Sequence, residues 1–367
     1  MTLDLFIILL TLVSSAVCGM IFTPLILKFC QRNHLYDMPN VRKVHKNPIP
    51  RLGGVVFIPS MVVSVLITFE FLSQQYHSPI IQLNISSVYF VVSLFIIYLT
   101  GIVDDIIGLN APIKLTLQIV SGVILTLTGF YINNLHGLFG IYELPQWTGS
   151  ILTVFMIVFV CNAINLIDGI DGLAASLSII GLCGFCFLYA QLGLITYCVL
   201  ICGTIGCLLS YLYFNVFGSA EKGLKIFMGD SGSLTLGFLL GFLFINYSIK
   251  AASPSDVHNG SFAIAWSLLI IPVFDVVRVF FLRIKNHRSP FLPDKNHIHH
   301  RLLAAGLTQH QALVTLIAFS FVFILANTSL ESADDVNITM LVDVALYTAF
   351  DICVNIVIRK KEKMVVR

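Results

Sequence analysis

The stretch ILTVFMIVFVCNAINLIDGIDGLAAS, residues 151–176, joins a long apolar run to a series of polar side chains. The run is typical of a helix that crosses a membrane. Asn162, Asn165, Asp168 and Asp171 then follow one another at every third position. Such groups are costly at membrane depth and usually serve a function there. The stretch therefore predicts a membrane helix that ends at a polar functional site.

The composition of the whole chain indicates the same fold class. Hydrophobic residues make up 57% of the 367 residues and charged residues 11%, whereas soluble domains carry about 45–50% and about 25% of these classes. We expect an all-α integral membrane protein with one domain over residues 1–367. A homodimer is compatible with this architecture, and no feature of the sequence predicts nucleic-acid binding.

Apolar runs of about 20 residues predict membrane helices, and eleven can be placed along the chain. They lie at 4–27, 54–72, 87–103, 113–131, 149–165, 173–190, 193–214, 234–249, 261–281, 313–329 and 338–358. An odd number of spans places the two termini on opposite sides of the bilayer.

The positive charges predict the orientation. Of the 21 Lys and Arg residues, all except Lys250 fall on one side of the predicted membrane. They lie in segments 28–53, 104–114, 215–233, 278–312 and 359–367. Because positively charged loops stay in the cytoplasm, we expect the N-terminus outside and the C-terminus in the cytoplasm.

Three acidic motifs fall on this predicted cytoplasmic side: TGIVDDIIG (100–108), NLIDGIDG (165–172) and KIFMGDSGS (225–233). Acids at helix ends are commonly just solvated, and Asp-Gly pairs also form turns. However, Asp104 and Asp105 differ in direction by about 100° on a helix, so at least one should face the bundle. The third motif is a Gly- and Ser-rich turn that opens a helix, which suits a phosphate, and its carboxylate suits Mg²⁺.

The last predicted cytoplasmic loop, RIKNHRSPFLPDKNHIHHRL (283–302), is basic and rich in His. HIHH is compatible with a zinc cluster, a pH-sensitive patch or an anion-binding loop, and the neighbouring Lys and Arg favour phosphate contact. Phosphoryl transfer is indicated by three features at one membrane face: acids that can bind metal or move protons, a phosphate-sized turn and a basic loop. The donor would be soluble and the acceptor held in the membrane.

The order and placement of NAINLIDGIDGL, FMGDSGS, the Asp pair and the last loop resemble the polyprenyl-phosphate N-acetylhexosamine-1-phosphate transferase family, of glycosyltransferase 4 type, over about residues 30–305. The resemblance implies transfer of a sugar 1-phosphate from a UDP-N-acetylhexosamine to undecaprenyl phosphate, with release of UMP. It also implies a need for Mg²⁺, with Mn²⁺ as a substitute, and an active site on the cytoplasmic face of the bacterial inner membrane.

The resemblance also implies roles for individual residues. Asp104 and Asp105 would handle the lipid phosphate, Asp230 would bind Mg²⁺, and Phe227 would pack on the uracil. The nucleotide and catalytic cleft would be lined by Asn165, Asp168 and Asp171. The donor's phosphates and sugar would be held by Arg283, Asp294, His297, His299 and His300. Weaker assignments fall on the first loop, at Asp37, Arg42, Lys43 and Lys46. The active-site loops would be 28–53, 104–114, 165–172, 215–233 and 282–312.

The sequence departs from the family pattern at two places, of which the first varies among family members and the second bears on the branch. The Asp pair reads DDIIG rather than DDxxD, and the last loop reads DKNHIHHRL rather than having three consecutive His. The latter, with eleven spans, resembles the enzymes that initiate O-antigen, common-antigen and teichoic-acid synthesis, for which GlcNAc is the default sugar.

Other functions remain open at this point: a polytopic transporter or lipid flippase with a cytoplasmic acidic site, and a His-ligated metalloenzyme. Transporters tend to bind substrate near the bilayer midplane, whereas these acids cluster at helix ends. A direct displacement is favoured, and a double displacement through an aspartyl-phosphate is the alternative.

Overall fold

The computed structural model describes residues 2–38, 47–76, 85–252, 261–289, 295–331 and 335–365, most of which form α-helices. The helices are α1 (Thr2–Arg32), α2 (Phe57–Tyr76), α3 (Ile85–Ile107), α4 (Ala111–Thr126), α5 (Gln146–Ile167), α6 (Leu173–Gln191), α7 (Ile195–Val216), α8 (Gly229–Ala251), α9 (Ser261–Ser267), α10 (Ile270–Lys285), α11 (Ile298–Ala305), α12 (Gln309–Leu330) and α13 (Val336–Val365). Two short strands, β1 (Tyr36–Asp37) and β2 (Ile49–Pro50), pair antiparallel. The site roles predicted above for Arg42, Lys43, Lys46 and Asp294 fall on residues outside the described ranges.

Across the described ranges, nine helices are long and apolar enough to cross a membrane. These confirm an all-α, multi-pass membrane protein. The fourth and ninth predicted spans correspond to shorter helices. Helix α4 ends at Thr126, just before Gly129 turns the chain with φ 77°. The ninth span is divided into α9 and α10, because Pro272 belongs in a first helical turn and cannot continue a preceding helix. The count of eleven and the orientation stay predictions.

Helix α8 lies at the centre of the bundle. Nearly all of its residues are buried, and it packs against α3, α5, α6 and α9. A β-carbon at Gly237 would lie 2.6 Å from the Cα of Cys161 on α5, so only glycine allows this approach. Small residues commonly permit such close contact between membrane helices. The approach fixes the start of α8 relative to the end of α5.

Gly237→Ala is expected to destabilise the protein by about 1–3 kcal/mol, because the added methyl group overlaps the backbone of α5. Gly241→Ala is a matched control on the same helix, since its β-carbon would find its nearest neighbour, a side-chain atom of Ile157, at 3.4 Å. Thermal unfolding in detergent checks the pair. Equal melting temperatures for the two variants would contradict this packing.

The helix ends define two ends of the bundle. The ends of α3, α5 and α7 meet the start of α8 at one of them, here called the cleft end, where side chains of Asp105 and Asn165 bond the first turn of α8. At the opposite end, His136 in the loop after α4 contacts Ser248 near the end of α8. The acidic motifs that the sequence places on one side of the membrane thus meet in space.

Candidate active site

A cleft of about 360 Å³ opens at the cleft end. Most of the predicted site residues that the structure describes line it: Asp37, Asp104, Asp105, Asn165, Asp168, Asp171, Phe227, Asp230 and His300. Arg283, His297 and His299 are buried and do not belong to the lining. The cleft therefore brings together all three acidic motifs and one residue of the His-rich loop.

Asp105 holds the first turn of α8. Its two carboxylate oxygens accept hydrogen bonds from the backbone N–H groups of Asp230 and Ser231, each at 2.9 Å. A carboxylate at a helix N-terminus satisfies free N–H groups and complements the helix dipole. Gly229 precedes this turn with φ 73°, in the left-handed region that favours glycine. The buried Asp105 is thus committed to placing Asp230 at the cleft.

Asp104, the neighbour of Asp105, points to a different partner. Its Oδ2 lies 3.2 Å from Nζ of Lys114, which lies in turn 2.9 Å from Oδ2 of Asp230. The backbone N–H of Leu109 donates to the other oxygen of Asp104 at 2.6 Å. One ammonium group therefore bridges two half-buried carboxylates that come from different motifs.

Asn165 connects the end of α5 to the same acid. Its Nδ2 donates to Oδ1 of Asp230 at 3.0 Å and to the Ser233 hydroxyl at 2.9 Å. Both oxygens of Asp230 are thus held, one by an amide and one by an ammonium group. This fixes the orientation of the Asp230 carboxylate in the cleft.

The loop from Asp168 to Gly172 leaves α5 and is tied down by Asn215. The backbone N–H of Gly172 donates to Oδ1 of Asn215 at 2.7 Å, and Nδ2 of Asn215 donates to the carbonyl of Ile226 at 2.8 Å. Asp171 forms an ion pair with Lys225 at 2.6 Å. The two polar motifs at 165–172 and 225–233 are therefore joined by direct contacts.

Asp168 ends α5 in a strongly acidic environment. Burial, followed by the negative charges of Asp230, Asp171 and Asp105, raises its pKa to about 7. At neutral pH this carboxyl group is therefore only partly ionised. An acid of this kind can give or take a proton in the physiological range.

Replacing Asp168 with Asn is expected to change how stability depends on pH. The folded protein holds the Asp168 proton up to a pKa of about 7, against an ordinary value of 3.8. Folded Asp168 thus binds more protons than unfolded Asp168 across that window, and it destabilises the fold increasingly as pH rises through it. Asn cannot ionise, so the melting temperature of the variant relative to that of the wild type should rise by a few degrees from pH 5 to pH 8.

Melting curves in Mg²⁺-free detergent across this range measure the difference. A difference that stays constant between pH 5 and pH 8 would contradict the raised pKa.

The segment after the first helix forms one wall of the cleft. The N–H of Phe227 donates to the carbonyl of Pro50 at 2.7 Å, and the N–H of Gly53 donates back to the carbonyl of Phe227 at 2.9 Å. Arg51 lies between these two bonds and lines the cleft, as does Asp37 on β1. The first loop therefore contributes a guanidinium group to the same cleft that Phe227, the residue predicted to pack on uracil, also lines.

The His-rich segment divides into an inner and an outer part. His297 is buried, with Nδ1 2.8 Å from Oδ2 of Asp275, whereas His300 lines the cleft. His299 packs against Gly169, where a β-carbon would overlap its ring. Burial, followed by the neighbouring His300, lowers the pKa of His299 to about 3, so its ring is neutral. Of the three, His300 is the one that lines the cleft.

Sequence reasoning missed Arg51, Lys114, Asn215 and Lys225 as site residues. The sequence does contain one signal for Lys114: a cation near the start of an apolar helix requires an acidic partner, which predicts a nearby carboxylate. Asn215 and Lys225 carried no comparable pattern. Their contacts arise only when separate loops pack together.

Comparison with known proteins gives concordant matches. Residues 87–248 match the model of glycosyl transferase family 4. The chain is 32% identical over 328 residues to the probable undecaprenyl-phosphate N-acetylglucosaminyl 1-phosphate transferase of Bacillus subtilis, with 89% of this chain and 86% of the relative covered. It is 30% identical over 325 residues to the undecaprenyl-phosphate alpha-N-acetylglucosaminyl 1-phosphate transferase of Escherichia coli K12, with 84% and 82% covered.

Proposed function

Because the chain belongs to glycosyl transferase family 4, in its branch of bacterial undecaprenyl-phosphate GlcNAc-1-phosphate transferases, we propose that it transfers GlcNAc 1-phosphate from UDP-GlcNAc to undecaprenyl phosphate and releases UMP. The observation that carries the proposal is the convergence of Asp104 and Asp230 on the ammonium group of Lys114 at the cleft end of the bundle. Two converging carboxylates can hold a divalent cation, to which anionic phosphates can bind.

The described residues fit a Mg²⁺ ion. Oδ2 of Asp104 and Oδ2 of Asp230 already converge on one positive group, the ammonium of Lys114. Within the described ranges, no three His, Cys, Asp or Glu side chains gather at one ion position. Mg²⁺ commonly uses one or two carboxylates and takes its other ligands from water and substrate phosphates. Asp230, with Asp104, would hold the ion, which when bound would neutralise charge on the transferred phosphoryl group.

The favoured reaction is a direct displacement. An oxygen of undecaprenyl phosphate forms a bond to the β-phosphorus of the donor, and the bond from that phosphorus to the oxygen shared with the α-phosphate breaks. UMP leaves with the shared oxygen. Asp104 and Lys114, which contact each other, would position the lipid phosphate, while Asp105 and Asn165 keep Asp230 in place. Catalysis would then rest mainly on positioning and charge.

The charge distribution supports a cytoplasmic active site in the bacterial inner membrane. Arg51, Lys114 and Lys225 lie at the cleft end, and Lys250 lies at the end of α8 that points away from it. Positively charged ends of membrane proteins stay in the cytoplasm, where a nucleotide-sugar is available. The product would be the first lipid-linked intermediate of a cell-surface polysaccharide such as O-antigen or capsule.

One assay tests the reaction. Pure protein is incubated with UDP-GlcNAc, undecaprenyl phosphate and Mg²⁺, and both UMP and a lipid-linked sugar are measured. The expected result is equimolar UMP and lipid product, with no UMP when the lipid is omitted. A transporter would give neither product. Absence of UMP with every UDP-N-acetylhexosamine tested would overturn the proposal, whereas UMP formation from donor alone with a phosphorylated protein would favour the double displacement.

A further inference from the structure

Asp275 is a fully buried acid on α10 whose two oxygens are both used. Oδ2 contacts Nδ1 of His297 at 2.8 Å, and Oδ1 accepts from the N–H of Ile298 at 2.8 Å and from Nη2 of Arg278 at 2.9 Å. A carboxylate can only accept, so Nδ1 of His297 carries a proton. Asp275 therefore holds both the start of α11 and the ring of His297.

Two arginines extend this arrangement to the last helix. Nε of Arg278 lies 3.4 Å from Oδ1 of Asp351 on α13, and its Nη2 donates to the carbonyl of Asn296. On α11, Arg301 donates to Asp351 and to Asn355. The charge network, defined as Asp275, Arg278, Arg301 and Asp351 with Asn355, thus joins α10, α11 and α13.

The charges of the network are balanced and mostly withdrawn from water. It contains two carboxylates and two guanidinium groups, with side-chain exposures of 1% for Asp275, 15% for Arg278, 10% for Arg301 and 21% for Asp351. In such surroundings ion pairs are stronger than at a surface, and removal of one partner leaves an uncompensated charge. Asp351 is the member that both arginines share.

Helix α11 depends on these contacts for its position. It has eight residues, which is too few for an isolated helix to be stable. It carries His299, which packs on Gly169 of the cleft loop, and His300, which lines the cleft. At its other end, Nζ of Lys361 on α13 donates to the carbonyl of Ala304 at 3.4 Å. Helix α13 therefore contacts α11 at its middle, through Arg301, and near its C-terminal end, while its contact residues Asp351, Asn355 and Lys361 do not line the cleft.

We propose that Asp351, supported by Asn355, is a positioning residue for the nucleotide-sugar: through Arg301 and Arg278 it holds α11 so that the His segment meets the donor. The last membrane helix thereby becomes part of donor recognition. The expected effect on KM for the nucleotide-sugar rests on the proposed function, whereas the expected effect on the position of α11 does not.

The kinetic experiment compares Asp351→Asn with Glu362→Gln, an exposed acid on the same helix. Asp351→Asn is expected to raise KM for UDP-GlcNAc about tenfold, the size expected from losing one hydrogen bond to a charged group. KM for undecaprenyl phosphate should match that of Glu362→Gln, whereas the melting temperature should fall, because both arginines lose a charged partner. A loss confined to kcat or to stability, with donor KM unchanged, would overturn the positioning role.

A double-mutant cycle with Arg301→Gln tests the route. Because Asp351 and Arg301 act through one contact, the donor KM of the double variant should be close to that of the worse single variant. If the two single-variant changes in donor KM multiplied in the double variant, Asp351 and Arg301 would act independently, which would contradict positioning of α11 through Arg301.

Hydrogen–deuterium exchange separates this inference from the proposed reaction. In Asp351→Asn, amides of residues 298–305 should exchange faster than in wild type or Glu362→Gln, while those of α8 stay protected. Faster exchange with an inactive wild type would uphold the positioning of α11 and reject the reaction. Unchanged exchange beside an active wild type would reject the positioning alone.

Discussion

Asp230→Asn is expected to lower kcat by about 10²–10³-fold and to abolish stimulation by Mg²⁺, because the variant loses the negative oxygen that would bind the ion. The protein should still fold. Asp105 caps α8 through the backbone N–H groups of residues 230 and 231, which the substitution leaves unchanged. Asn also keeps an oxygen that can accept from Asn165, so the shape of the site is preserved. UMP release across a Mg²⁺ titration measures the effect.

Asp335→Asn is the matched control for Asp230→Asn. Asp335 is fully exposed and lies just before α13, whose start contacts the loop after α4 at the end away from the cleft. It should keep wild-type kcat and Mg²⁺ dependence, and both variants should melt near the wild type. Activity of Asp230→Asn that still rises with Mg²⁺ as in the wild type would refute the metal assignment.

The membrane fold could be predicted because its cause is local. Runs such as 151–165 are long enough and apolar enough to require a helix, whatever they pack against. The ninth predicted span is a different case, because a proline in IPVFD can either kink a helix or open a new one. The structure opens a new one at Ile270. Hydropathy measures the length of an apolar segment and does not distinguish these outcomes.

The acidic residues of the cleft could be predicted, but not the partners that each of them binds. Asp104 and Asp105 are neighbours in sequence and equivalent in composition. The structure gives Asp105 two backbone donors and Asp104 an ammonium partner. The difference depends on how closely α3 approaches α8 at Gly101, where a β-carbon would lie 2.6 Å from the carbonyl oxygen of Asp230. No pattern within either helix encodes that approach.

Lys114→Gln is expected to lower kcat about 100-fold while Mg²⁺ reaches half-saturation at a lower concentration. The ammonium group lies between Oδ2 of Asp104 and Oδ2 of Asp230, where a divalent cation would also bind. Its removal makes the net charge of the site more negative and frees both carboxylates for the ion, so the affinity for Mg²⁺ should rise. Turnover should fall, because the displaced ammonium would otherwise neutralise charge on the phosphates.

The opposite signs of these two effects distinguish Lys114 from a structural residue. A variant that only disturbed packing would lose activity together with Mg²⁺ affinity. Lys114→Arg keeps the charge and should retain part of the activity, although its planar guanidinium fits two separate carboxylates less well than a compact ammonium group. Lys250→Gln, on α8 at the end away from the cleft, should change neither quantity. If Lys114→Gln bound Mg²⁺ more weakly than the wild type, Lys114 would be supporting the carboxylates and not competing with the ion, and its place in the transfer step would have to be reassigned.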